Sequence, residues 1–124
     1  MTITQAIAMA DRVAANDIEQ GIKLKWLSDL DQQLVDEVFN RHKWICVLDF
    51  RGYDETTDAN NTELLVKAPY DLLYVDYLEM MIHRQHQEIE RYNNARLVYE
   101  RSRARFDNHI NQRYMPHGVR ALRF

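Results

Sequence analysis

A small all-α bundle is the fold class this sequence predicts. It carries a long C-terminal helix, an irregular or short-hairpin segment over 43–67 and an extended C-terminal tail over 115–124. Three observations point there. Only three Gly and two Pro occur in 124 residues, too few turns for a many-stranded sandwich or barrel. Apolar residues recur at three-four spacing over most of the chain. The stretch 70–114 contains neither Gly nor Pro. The length suits one domain, 1–124, around a single core.

The first helix is expected from Ile3 to Ala15, with Thr2 or Thr4 as its cap and Ile3, Ile7, Ala10 and Ala14 along its buried stripe. Asn16-Asp17 breaks it. Asp17 followed by Gln20 reads as a capping box, opening a second helix that runs to His42 on a stripe of Ile22, Trp26, Leu30, Leu34, Val38 and Phe39. From Lys43 the helical period disappears. Trp44–Leu48 and Glu63–Val66 are β-prone runs separated by a polar loop. They either pair as a hairpin or cross the bundle as extended segments.

Pro69 is placed to start a long helix, where its missing N–H costs nothing. Residues 70–82 are apolar on nearly every side, as in a buried helix, whereas Tyr92, Ala95, Tyr99, Ser102, Phe106, Ile110 and Tyr114 mark a single stripe. Continuous, 70–114 would reach about 68 Å, so it projects, bends or divides into two helices in close succession. Asn93-Asn94 is the expected bend. The core is expected to include Trp26, Leu30, Leu34, Leu73, Tyr77, Leu78 and Met81.

Composition excludes several classes. The apolar runs fall far short of the ~20 residues of a membrane span. Met1–Gln5 lacks the basic start of a signal peptide, and the single Cys46 permits no internal disulfide. Glu79, His83, His86 and Glu90 share a helical face but lack the Glu-x-x-His pairing of di-iron bundles, so solvated pairs explain them better than a metal. The acidic loop holding Asp54, Glu55, Asp58 and Glu63 misses the calcium-loop spacing, with Ala59 at its sixth position. No metal, cofactor or catalytic residue is expected, and the chain reads as no enzyme.

Charge is more informative. Residues 1–90 hold 8 Lys/Arg and 17 Asp/Glu, and 91–124 hold 8 Arg and 2 acids, so segments of −9 and +6 make the net −3. Guanidinium groups suit bidentate contact with carboxylates or phosphates. Arg96, Arg101, Arg103 and Arg105 are the candidates to meet a neighbouring subunit or a channel, with Asp54 and Asp58 as possible acidic partners. Arg120, Leu122, Arg123 and Phe124 alternate charge with apolar groups, as in an extended docking tail. A cytoplasmic helical module that binds nucleic acid or a regulatory protein through the Arg-rich helix is the other class.

Trp26-Leu27-Ser28-Asp29-Leu30-Asp31, Phe50-Arg51-Gly52-Tyr53-Asp54, Glu63 through Asp71, Glu88 through Asn94 and Asn111 through Pro116 together resemble the small head–tail connector (adaptor) proteins of tailed bacteriophages, common in prophages of Gram-positive bacteria. The resemblance covers residues 3–116. Such proteins often read Asn-Arg-Thr-His-Met-Pro where this chain has Asn111-Gln112-Arg113-Tyr114-Met115-Pro116, and they commonly stop soon after that Pro. It implies a virion neck protein, made in the host cytoplasm, that forms a ring of typically twelve copies beneath the portal protein. The ring would extend the channel through which packaged DNA passes and offer a platform to the next neck or tail-completion protein. The portal-docking role expected of the 120–124 tail rests on that resemblance.

Overall fold

The computed structural model describes residues 1–37 and 50–113. It is all-α, with four helices in the order α1 (Ile3–Val13), α2 (Gln20–Glu37), α3 (Leu72–Gln85) and α4 (Ile89–Arg113) and no strand among the described residues. The expected ends of the second helix at His42 and of the last at Tyr114 lie outside them, as do Trp44–Leu48, Cys46 and the tail 115–124.

α1 follows its sequence signals. Thr2 Oγ1 accepts the Gln5 amide at 3.2 Å while Gln5 Oε1 accepts the Thr2 amide at 2.9 Å, a reciprocal box that satisfies two orphan donors. Ile3, Ala6, Ile7, Ala10 and Ala14 are buried as one stripe. The helix ends at Val13 with Ala14 as its cap.

α2 departs from expectation in two ways. Asp17 does not cap it; Asn16 takes over the turn, accepting the Ile18 amide at 3.0 Å and donating to Asp11 Oδ1 at 2.9 Å. The buried stripe is also rotated, running through Lys23, Leu27, Leu30, Asp31, Leu34 and Val35, while Ile22 is exposed and Trp26 half-buried. Lys23 can lie inside because its aliphatic stem packs with apolar neighbours and its Nζ reaches Asp11 Oδ1 at 2.7 Å.

The long helix divides. Pro69, joined to Ala68 by a cis peptide bond, sits in the turn before α3 rather than at its first position. The break falls at His86–Glu88 and not at Asn93-Asn94, which lie inside α4. Gln87 takes φ 59, its amide bonds the Arg84 carbonyl at 3.1 Å, and the Glu88 amide bonds the His83 carbonyl at 3.0 Å. Those two bonds make a Schellman ending with Gln where Gly is usual. The fold-back has an energetic reason. α3 is apolar over most of its circumference, and α4 folding back on it covers a side that α1 and α2 leave open.

Tyr77 meets Tyr99 edge-on at 5.2 Å, Tyr70 stacks on His109 at 4.5 Å, and Ser102 Oγ donates to Asp76 at 2.5 Å. α3 thus becomes the central helix, packed by α1, α2 and α4. Leu30, Leu34, Leu73 and Leu78 are fully buried as expected, but Trp26, Tyr77 and Met81 are only half-buried. For Trp26 the cause is the rotated stripe; Tyr77 and Met81 lie at the margin of α3's packed faces.

The other half of the hairpin considered for Glu63–Val66, Trp44–Leu48, lies outside the described residues. Glu63–Val66 docks beside the start of the chain, through a Thr2–Glu63 antiparallel bridge and a Leu64 amide bond to the Met1 carbonyl at 3.0 Å. The Ala59 and Thr62 carbonyls accept the Thr4 and Ile3 amides at 3.1 and 3.2 Å, so this loop satisfies the otherwise orphaned first turn of α1.

Candidate functional site

The most concentrated polar chemistry lies inside, around Asp31. Its side chain is fully buried. Oδ1 accepts the Tyr74 hydroxyl at 2.6 Å, Oδ2 accepts the Tyr53 hydroxyl, and the Leu65 amide lies 3.4 Å from Oδ2. Tyr74 Oη in turn accepts the buried Val66 amide at 2.8 Å. Burial pushes the Asp31 carboxyl above its usual range, against the hydrogen bonds of Tyr53 and Tyr74. Burial first, and then the Asp31 charge, raises both tyrosines well above theirs. Both hydroxyls stay protonated and donate to the carboxylate. The cluster joins α2, α3 and the 53–66 segment.

Gly52 completes this joint. It has φ +85, and a Cβ there would lie 2.5 Å from Ser28 Oγ. That hydroxyl accepts the Tyr53 amide at 2.9 Å, so the chain passes α2 at a separation that only glycine permits. Sequence reading missed Asp31. The available signal was its position on the stripe, four residues after Leu27 and three before Leu34.

The four candidate arginines do not share one face. Arg96 and Arg103, seven apart, flank the buried stripe, Arg101 lies on the outer side, and Arg105 borders a groove with Pro69, Tyr70, Leu72 and Asp76 at the start of α3. Arg103 is committed within the chain, to Glu37 Oε2 at 2.9 Å and Asp107 Oδ1 at 3.1 Å. Burial alone would lower its guanidinium, but the hydrogen bonds it donates to Glu37, Tyr99 and Asp107 outweigh that and hold it above its ordinary value. Arg96 pairs with Glu100 at 3.1 Å, and both are exposed. Arg101 and Arg105 are exposed on α4.

Asp54 and Asp58 are both exposed and organise their own loop. Asp54 Oδ1 accepts the Thr56 amide and hydroxyl at 2.9 and 2.6 Å, bonds that hold its carboxyl below the usual range. Asp58 accepts from Asn60 N at 3.2 Å and Asn61 Nδ2 at 2.7 Å. Arg120, Leu122, Arg123 and Phe124 lie outside the described residues.

The His/Glu row is rearranged by the fold-back. Glu88 Oε1 approaches His83 Nδ1 at 3.2 Å and His86 Nδ1 at 3.5 Å, while Oε2 accepts from Arg91 Nη1 at 3.0 Å. Glu79 keeps a 3.7 Å contact with His83 Nε2. This is a carboxylate-centred clasp over the α3–α4 turn, with a polar His83–Glu88 contact where Schellman endings usually place an apolar one. Among the described residues no set of three or more His, Cys, Asp or Glu side chains is arranged to hold a metal ion, and no helix is long and apolar enough to cross a membrane.

A groove of about 720 Å³ runs between the N-terminal half of α2 and the 53–56 segment, with Ile22 and Trp26 on its wall beside Glu19, Asp29, Asp54 and Glu55. Comparison with protein-family models, with curated proteins and with solved structures gives no match to this chain.

Proposed function

We propose that this chain is a structural connector of a tailed-phage neck, forming a ring beneath the portal protein that extends the DNA channel and seats the next neck protein. The observation that carries the reading is the convergence of three segments of the resemblance on one joint. Ser28 and Asp31, Gly52 and Tyr53, and Leu65 and Val66 meet there, with Tyr74 just beyond the last segment closing it. Three of the five segments that carry the resemblance thus meet in residues that bind one another and would fix the shape of a subunit, as a ring component requires.

The competing reading, nucleic-acid binding through the Arg-rich helix, is weakened by the commitment of Arg96 and Arg103 to carboxylates of the same chain. The test is electron microscopy of the purified chain mixed with the portal protein of the same genome. Coaxial rings of about twelve copies on the portal are expected from the resemblance. Bare portals, together with DNA affinity that falls steeply with salt, would replace this reading with the other.

A further inference from the structure

One exposed α4 surface is unusual for a solvated helix. Leu97 is 53% exposed, and the exposed Arg101 and Arg105 stand one and two turns beyond it, Arg105 also bordering a groove with Pro69, Tyr70, Leu72 and Asp76 at the start of α3. The groove beside Trp26 has the opposite character. Four carboxylates line it, its lining has one cation, Lys25, and that cation is already 3.4 Å from Asp29. Asp54, held below its usual range, keeps its charge under mild acid. Ile22, 39% exposed, adds an apolar surface beside these carboxylates.

The two surfaces match in order as well as in sign. Leu97, Arg101 and Arg105 follow each other at one helical turn, spanning about 12 Å, an apolar knob followed by two bidentate donors. The groove offers an apolar wall beside carboxylates on both of its sides. We propose that this groove receives the Leu97–Arg101–Arg105 face of α4 from a second copy of the chain. Leu97 packs against Ile22 and Trp26, and the two guanidinium groups engage Glu19, Asp29, Asp54 and Glu55. The two patches differ, so the contact is heterologous: each copy uses one patch on each neighbour, and the series closes as a ring or runs on as a filament. This deepens the ring reading by naming its subunit contact, and it shares with that reading only the premise that copies meet.

The test uses the full chain and two charge-reversed variants, Arg101→Glu/Arg105→Glu and Glu19→Lys/Glu55→Lys. These four side chains are exposed, and circular dichroism checks that each variant keeps its helices. Sedimentation at low salt reads self-association. Each variant alone is expected to associate at least about tenfold more weakly than the unmodified chain, because like charges then face each other. An equimolar mixture of the two is expected to recover association, since each variant's altered patch then meets its complement on the other. Undiminished association of either variant, or a mixture no stronger than its components, overturns the proposed contact. An unmodified chain that stays monomeric throughout the series also overturns it. Portal-bound rings seen by microscopy would leave the connector reading standing in each of those cases.

Discussion

The hydroxyl of Tyr74 stands 2.6 Å from Oδ1 of Asp31 and 2.8 Å from the amide nitrogen of Val66, donating to the first and accepting from the second. One side-chain oxygen thereby fastens α3 to α2 and to the extended segment before it. Each group has a partner, and no buried side-chain nitrogen or oxygen among the described residues lacks one.

Tyr74→Phe leaves the buried Val66 N–H without an acceptor and takes a donor from Asp31. It is expected to cost about 1–3 kcal/mol. Tyr53→Phe removes one of the two hydroxyl donors to Asp31 but leaves the Val66 N–H paired, and should cost less, about 1 kcal/mol. Urea unfolding of the two variants checks the order; equal losses would mean that the Val66 bond contributes nothing.

Gly52→Ala forces an L side chain into the left-handed region at about 1–2 kcal/mol and drives its Cβ into Ser28 Oγ. The companion Gly52→Ala/Ser28→Ala relieves the clash and keeps the backbone penalty. The double variant should therefore fall less than additively below the unmodified chain, in a thermal-melt cycle with both single variants.

Gln87 occupies φ 59 at the α3–α4 turn, a conformation in which Gly is free of the Cβ penalty. Gln87→Gly is expected to stabilise by roughly 0.5–1 kcal/mol, and Gln87→Val to destabilise by more than that. A rise in the urea midpoint for the first and a fall for the second are the readouts.

The break at that turn was not legible because the residue that makes it is Gln, with no glycine or proline to punctuate the run. What announces it is the pairing of His83 with Glu88 across the turn, which spacing alone does not distinguish from helical neighbours. α1 was legible to within two residues, since its cap and stripe are local. Asp31 was not, because a carboxylate on an amphipathic helix reads as solvent-facing until its donors are known. The candidate arginines were found by composition, yet which of them are committed within the chain depends on Glu37, Glu100 and Asp107.

Stability should depend on pH with opposing contributions. Glu88 is held below the ordinary range chiefly by its hydrogen bond with His83, Glu63 by Lys67, and Asp54 by Thr56. A depressed carboxyl stabilises the fold above its unfolded value and loses that contribution as pH falls through its folded value. Asp31 is raised, so its contribution is fully present below its unfolded value and fades as pH rises through the folded one. Glu88→Gln should flatten the loss of stability on acidification, and Asp31→Asn should steepen it. Urea midpoints between about pH 3 and 6 decide. Above roughly pH 10 the buried Tyr74 and the half-buried Tyr53, Tyr77 and Tyr99, all raised chiefly by desolvation, favour the unfolded chain. Tyrosinate absorbance should then rise together with the loss of helix.

The partners of Asp31 lie 22, 34 and 43 residues from it along the chain, whereas α3 and α4 are joined by a three-residue turn. Closing long loops costs entropy before any contact repays it. The helical hairpin is therefore expected to form first, and the tyrosine–carboxylate joint to lock after the barrier has been crossed. Substitutions in the joint should speed unfolding and leave refolding almost unchanged. The residues around Asp31 would then govern how long the chain keeps its shape, while the speed at which it is acquired would be set by the fold-back at His86–Glu88.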